Sequence, residues 1–592
     1  MFSHNRFPII QEGRYHFTMG PYDYFWFVLH SSEAHTKLSL ENRTLILKDN
    51  QPWWDVLKGR SGELLCSSVI PTYLQRVFWF CGKGRTIRQI SIAHSFQIKN
   101  ATLHFVLAFI QVAYIERDPE MYLIPLAWFP DERLKAITNL HPLATITPLS
   151  LGKTTGMLCD AVYFEEFRTL LFELMGDQMK VPGTDGSELS GIRGGSVTKN
   201  SPSRSELFPS RVAEGEQNNT SIIYGNRFLL KLYRRLQDGI NPEPEILKFL
   251  AEVACFTIVP EYSGEIVYHA SGGTVFELGV LQSFIPSHGD AWQNTLTILM
   301  QFVEHLLSHK GDLPKLPGKL PTLLDVVDGG IPDQFKDLVS GLHLEMALLL
   351  GQRTAEMHRA LACSSTESAW SMEEYSTLYQ RSVFQSLRGL VQRNFQKLTA
   401  AIPLLTEDVK PRATEILNAE KEIIAILHRI TGPRLSAMKC RIHGDFHLCQ
   451  ALFTGKDFVF IDFEGEPVHS LSGRRLKSSP LLDVAGMIRS FHYAAMTTLT
   501  HHGTMGLDDT ALLEPWLEAW YIYVSGSYLK AYLHAMEGSR LIPENRTELE
   551  IMLRCFLLQK VVSELGHELS THNPINISLR GIEMLLRECS SQ

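Results

Sequence analysis

Residues 440–466 read CRIHGDFHLCQALFTGKDFVFIDFEGE, and they decide the fold because their polar residues make little sense as packing and good sense as chemistry. A short approach through Arg441 and Ile442 delivers His443-Gly444-Asp445, and Gln450 follows five residues after Asp445. A strand, Val459 to Ile461, then delivers Asp462, with Glu464 two residues further on. Phosphoryl transfer asks a protein mainly to position groups and neutralise charge: a base faces the acceptor hydroxyl while oxygen ligands hold Mg²⁺ against the phosphates of ATP. In kinases the base Asp is followed by a metal-holding carboxamide, and a second metal-holding Asp arrives on a later strand. Asp445 as base and Gln450 and Asp462 as metal ligands take those places, and Glu464 supplies a further carboxylate beside the metal. A carboxamide oxygen suits a hard cation, so Gln for Asn changes reach and not chemical type. As an ordinary polar hairpin the same groups would be costly to bury without a cation.

Working outward, Ser221–Tyr224, a Gly225-Asn226 turn and Phe228–Tyr233 predict a hairpin carrying Lys231 among apolar neighbours. Asn241-Pro242-Glu243-Pro244-Glu245 then opens a helix. A strand lysine and a glutamate on the next helix are the pair that grips ATP phosphates in a kinase small lobe; Glu245 is the expected partner, with Glu243 competing. Asn219, Thr220 and Ser221, before the hairpin, offer amides and side-chain oxygens to phosphate, and an ordinary polar turn explains them equally well. Thr274–Ile285 reads as a strand pair ending in a hinge, where the backbone of Ser283 and Ile285 would meet adenine. Beyond Trp292 the period turns helical over 292–308, 334–361, 373–400, 412–430, 483–499, 510–536 and 545–569. The expectation is an α+β, bilobal, protein-kinase-like fold: an N-terminal cap, a β-rich small lobe and a helical large lobe.

Three other signals fit structural roles. The spacing of His443 and His447 lacks the HExxH zinc pattern, His358 sits within a helix as a satisfied structural histidine, and Asp483 after Pro480 reads as a helix cap. The GKGR run at 82–85 lacks the flanking pattern of a phosphate loop and reads as a basic turn.

IHGDFHLCQALFTGKDFVFIDFEGEP, RRLKSSPLLDVAGMIRSFHYAA and EQNNTSIIYGNRFLLKLYRRLQDGINPEPEI together resemble maltokinases, ATP-dependent enzymes of the aminoglycoside phosphotransferase fold that make maltose 1-phosphate. The resemblance implies ATP and Mg²⁺ as cofactors, maltose as acceptor, a role in α-glucan and glycogen synthesis, and a possible link of Asp483 to the catalytic loop. The closing segment SELGHELSTHNPINISLRGI departs from that family's wording, having His572-Asn573-Pro574 where an Arg-Pro-Asp-Trp run is usual, which leaves the sugar open. A kinase of another small hydroxyl compound and a weakly active partner subunit of trehalose synthase are the alternatives.

The implied organisation is a hairpin at 1–34, a cap at 35–180, a flexible Gly- and Ser-rich linker at 181–206, a small lobe at 207–290 and a large lobe at 291–592. RYHFTMGPYDYFWFVLH, residues 14–30, is apolar on both faces and resembles the last strands of a trehalose synthase β domain, which makes such a protein a candidate partner. The net charge of -8 gives no sign of a nucleic-acid surface. Nine scattered cysteines without a CxxC pair suggest reduced thiols and a cytoplasmic setting. No stretch has the length and apolarity of a membrane span, and the N-terminal residues lack the pattern of a secretory signal.

Overall fold

The two strands richest in apolar residues, His104–Tyr114 and Glu120–Pro130, carry them on both faces and are covered on both. In the first, Phe105, Leu107 and Phe109 pack toward the kinase lobes, while Val106, Ala108 and Ile110 pack into a separate core of the N-terminal unit. That period-two split is what a strand buried between two layers requires. The computed structural model describes residues 45–48, 51–115, 117–132, 134, 141–195, 208–213, 218–339, 341–363, 367–432, 434–501, 507–571 and 573–589. The hairpin expected at 14–30 lies outside them, as does His572.

The N-terminal unit is a sheet of β1 (Leu45–Leu47), β2 (Ile87–Lys99), β3 (His104–Tyr114), β4 (Glu120–Pro130), β5 (Thr145–Leu151) and β6 (Gly156–Asp160), in the order β1-β5-β6-β4-β3-β2. Short helices through Ile70–Arg76 cover its outer face, and Glu165–Gly176 closes the inner one. The small-lobe sheet runs β7-β8-β13-β14-β11-β10-β9, built from β7 (Lys180–Pro182), β8 (Glu188–Arg193), β9 (Ser210–Val212), β10 (Thr220–Tyr224), β11 (Phe228–Leu232), β13 (Tyr262–His269) and β14 (Val275–Ser283). Two expectations are corrected here. Residues 181–193, expected in the linker, belong to two strands of this sheet and the turn between them, so the small lobe begins earlier than residue 207; residues 196–206 of the expected linker are not described. Thr274–Ile285 is one strand, not a pair, and its neighbour β13 comes from upstream.

The expected hairpin is present, with Ser221 opposite Lys231 and positive φ at Gly225 and Asn226, as a tight turn matched to strand twist requires. After Lys231 the chain leaves one sheet for the other: β12 (Arg235–Leu236) pairs with β4 of the cap. Arg234, fully buried at the crossing, donates to Asp160 Oδ2 at 2.9 Å and the Leu123 carbonyl at 3.3 Å in the cap, and to Thr220 Oγ1 at 2.7 Å in the small lobe. Its guanidinium lies over the Trp79 ring at 4.8 Å.

The large lobe is helical, with Gly341–Leu361 against Leu507–Ala535, and Leu481–His501 against Arg546–Thr571 and Ala291–Ser308. The expected segments 334–361 and 412–430 are each divided in two. Between helices sits the hairpin Ala451–Phe453 and Phe458–Phe460, which connects the catalytic stretch to Asp462. The segment after the hinge is tied to it, since His288 N donates to the Phe453 carbonyl at 2.9 Å and Phe453 N to that of Gly289 at 3.0 Å. Among the described residues no helix is long and apolar enough to cross a membrane.

Candidate active site

The catalytic loop is held from beneath by Asp483. Its Oδ2 accepts the His443 amide at 2.8 Å and its Oδ1 the Gly444 amide at 2.9 Å. His358 Nε2 lies 3.1 Å from the same carboxylate, and the other ring nitrogen lies 3.1 Å from Tyr532 OH. Burial would raise the Asp483 carboxyl, but the His358 hydrogen bond, with the nearby ring charges and the Gly444 amide, holds it below its usual value. Capping therefore does not account for Asp483: it fixes two consecutive amides immediately before Asp445. His358 is structural as expected, through that same carboxylate.

His443 packs between the Phe446 and Phe463 rings, and its Nε2 lies 2.9 Å from the Ile461 carbonyl. This joins the Asp445 loop to the strand end that presents Asp462. Gly444 has φ +86 and Asp462 φ +69, left-handed values that glycine takes freely and aspartate does not. The buried Phe463 anchors the Asp462 turn.

Lys231, Asp462, Glu464 and Gln450 come together. The Lys231 ammonium bonds Asp462 Oδ1 directly, reaches Glu243 Oε1 at 2.7 Å and lies 3.7 Å from Glu464 Oε1. Gln450 Nε2 is 3.1 Å from Asp462 Oδ2. Burial alone would depress the lysine, but Asp462, Glu243 and Glu464 hold it well above its ordinary value. Burial likewise works to raise Asp462, and Lys231 overrides it and keeps that carboxylate low. For Glu464 burial wins against Lys231, with Asp462 and Glu243 adding, and its carboxyl is pushed up to about 8.

The glutamate opposite the lysine is Glu243, and Glu245 is not there. Glu243 is fully buried, with Oε2 accepting from Tyr233 OH at 3.0 Å. Glu245 faces Arg441 at 2.9 Å and Arg475 at 2.6 Å, bracing the helix Pro242–Glu252 against the large lobe.

Asn219 Nδ2 donates to Glu464 Oε1 at 2.6 Å, which brings the loop before β10 to the acidic group. Thr220 is turned to Arg234, and Ser221 lies across the ladder from Lys231. The Ser283 hydroxyl accepts from Glu261 N at 2.8 Å, and Ile285 follows the end of β14, half-buried. Sequence reasoning gave no site role to Arg474, whose guanidinium lies 3.4 Å from the Glu464 carbonyl, or to Lys560, weighed Glu243 only as a competitor, and linked Asp483 to the loop only through the family resemblance. The double arginine of Arg474-Arg475, close after the acidic stretch, was the available signal for one of them.

One oxygen each of Glu243, Asp462 and Glu464 can be chosen so that all lie within 4.8 Å of one another. Three carboxylates around one ammonium leave excess negative charge, which suits a hard divalent cation.

A β-rich small lobe, a helical large lobe and this cleft give the chain a kinase-like fold. Residues 73–163 match the family described as the maltokinase N-terminal cap domain. The chain is 26% identical over 220 residues to a glucosamine kinase of Streptacidiphilus jiangxiensis and 22% identical over 295 residues to one of Mycolicibacterium smegmatis. Those matches cover 36% and 49% of this chain, and only 44% and 61% of the relatives' own lengths. A solved glucosamine kinase in complex with glucosamine, ADP and inorganic phosphate superposes with a TM-score of 0.53 at 14% identity, covering 88% of this chain and 98% of that one. A second crystal form of a glucosamine kinase also gives 0.53, covering 88% and 99%. These likenesses establish the fold.

Proposed function

We propose that this chain is an ATP-dependent kinase that phosphorylates the anomeric hydroxyl of maltose, yielding maltose 1-phosphate for α-glucan and glycogen synthesis in the cytoplasm. The observation that supports this reading is the meeting of Gln450, Asp462 and Lys231, tied through His443 and the Ile461 carbonyl to the loop that carries Asp445, in a chain whose residues 73–163 match the maltokinase N-terminal cap.

Asp445 orients the acceptor hydroxyl and takes its proton as the new O–P bond forms. Lys231 neutralises phosphate charge, held for the purpose by Glu243. The Asn219 side chain and the backbone of Thr220 and Ser221 cover the phosphates, while the backbone of Ser283 and Ile285 takes the adenine edge. Asp462 and Glu464 would hold Mg²⁺, joined by the Gln450 amide oxygen after a half-turn of that amide. When bound, the metal offsets charge repulsion between acceptor and γ-phosphate.

A second reading, phosphorylation of an amino sugar, is favoured by the two curated relatives, both glucosamine kinases. ADP release measured with maltose, glucose, trehalose, glucosamine and an aminoglycoside separates the readings. Maltose should give the highest kcat/KM; turnover confined to glucosamine would replace the first reading by the second. Maltose use also suggests a trehalose-synthase-like partner joined through residues 14–30. A chain begun at Ser32 should stay active and lose that partner, whereas loss of folding would end the partner idea.

A further inference from the structure

Behind the loop that carries Asp445 the structure buries a second lysine that the mechanism above does not use. Lys560 lies on the helix Arg546–Thr571 and is 8% exposed. Its stem crosses Gly486 of the neighbouring helix: a methyl group added at Gly486 would stand 3.5 Å from Lys560 Cε and 2.5 Å from the carbonyl of Phe446, the residue after Asp445. The ammonium ends on Glu466 Oε1 at 2.5 Å, in the loop that follows Glu464. Burial opposes its charge, but Glu466 and then Asp445 hold it protonated, and its charge acts in turn on His447.

The next carboxylate along the same helix face is also matched by a cation. Glu564, one turn on from Lys560, takes Arg489 Nη2 at 2.7 Å. A kinase that accepts an ammonium-bearing substrate needs an uncompensated carboxylate to replace the water that the cation loses. Here Glu466 and Glu564 are each neutralised from within the protein; Glu568, a further turn on, has no cation paired to it among the described residues, but burial pushes its carboxyl up to about 7 and Tyr493 OH lies 3.2 Å from it, while a buried cation stands by the Asp445 loop.

We propose that Lys560 is a specificity-determining residue that reserves the acceptor end of the cleft for neutral polyols and rejects ammonium-bearing sugars. The inference rests on the phosphotransfer reading of Asp445. Like-charge juxtaposition is a common way to exclude a wrong partner, and Lys560 can neither leave its buried position nor lose its proton near neutral pH.

The test compares each neutral sugar with its 2-amino counterpart, glucose with glucosamine and maltose with maltosamine, so that shape is kept and charge alone changes. The full-length protein should show kcat/KM for the neutral sugar higher by about tenfold or more at pH 7. Lys560→Met should shrink that ratio by about tenfold, mainly through KM for the amino sugar, with KM for ATP unmoved; Lys560→Arg should keep the ratio. In the unmutated protein the gap should narrow as pH is raised and the amine loses its proton, a readout that needs no variant to fold. A preference for the amino sugar, a gap insensitive to pH, or a ratio unchanged in Lys560→Met would each overturn the proposal. Absence of turnover with every sugar would bring down the phosphotransfer reading and this inference together, whereas turnover with the wrong ratio brings down this one alone.

Discussion

Two buried lysines stand near the 440–466 stretch, one on the small-lobe strand Phe228–Leu232 and one on the large-lobe helix Arg546–Thr571, and their surroundings differ in charge. Lys231 meets three carboxylates, Asp462, Glu243 and Glu464, whereas Lys560 is closely paired with Glu466 alone. The first cluster is short of positive charge and the second is close to balance. A lysine by itself therefore says little about what a site binds. The surplus around it does: a deficit calls for a divalent cation, while a balanced pair marks a surface for uncharged groups.

The strongest way to break the comparison is Asp462→Ala, which removes a metal ligand and the group bonded to Lys231. Turnover should fall by at least about 10³-fold at every Mg²⁺ concentration, since metal stabilisation of transferred phosphate amounts to several kcal/mol. Gln450→Ala should recover in part as Mg²⁺ is raised. Rescue of Asp462→Ala by excess metal would mean that the ligands are assigned the wrong way round.

Asp445→Asn should lower kcat by roughly 10² to 10⁴ with little change in KM for ATP, the usual contribution of a positioned acid–base group. A variant keeping more than half of kcat would take Asp445 out of the chemistry.

The two glutamates of Pro242–Glu252 sharpen the contrast. Glu243→Gln should raise KM for ATP by about tenfold by loosening Lys231. Glu245→Gln should leave that constant nearly unchanged and instead lower stability by about 1–3 kcal/mol, because buried Arg441 would lose its charged acceptor. Urea titrations of both variants, run beside ATP kinetics, decide whether the roles are divided in this way.

The smallest effect belongs to Glu277, which is not one of the three clustered carboxylates. Burial, with Glu265 adding to it, pushes its carboxyl up to about 8. Because the folded value lies above the unfolded one, its contribution to stability is complete below the unfolded value and is lost as pH rises through about 8. Glu277→Gln, which keeps an acceptor for the Asn241 amide, should thus match the parent chain near pH 5. At pH 9 it should be more stable by about 1–2 kcal/mol in denaturant unfolding. Equal stability at both pH values would show that Glu277 is not shifted.

Local rules made much of this legible. The β10–β11 hairpin followed from a Gly-Asn turn between apolar runs, and the large-lobe helices from their period. The meeting of Gln450 and Asp462 followed from spacing, because they stand at the two ends of one short hairpin. What escaped notice depended on register or on distance. Glu243 and Glu245 are two residues apart, about 200° around a helix, so the one that meets Lys231 depends on where the helix starts. Asn241 sets that start by accepting the Glu243 amide at 3.0 Å. Asp483 looks like a cap because its real partners lie about forty residues earlier in the chain. Residues 181–193 were mistaken for a linker on composition, although Asp185-Gly186 between Val181 and Leu189 is a hairpin signal. Gly191 is small for packing, since a methyl group there would lie 1.9 Å from the Leu174 carbonyl.

The crossing at Arg234 bears on how this molecule could be divided. A kinase body expressed without residues 45–160 would keep every group proposed above to bind nucleotide, yet lose Asp160, the Leu123 carbonyl and Trp79 from around one guanidinium. The stranded charge would sit three residues from Lys231, just beyond the end of its strand. Shortening this protein to a minimal catalytic fragment would then fail at the nucleotide lysine first, and replacing Arg234 by an apolar residue would have to precede the cut.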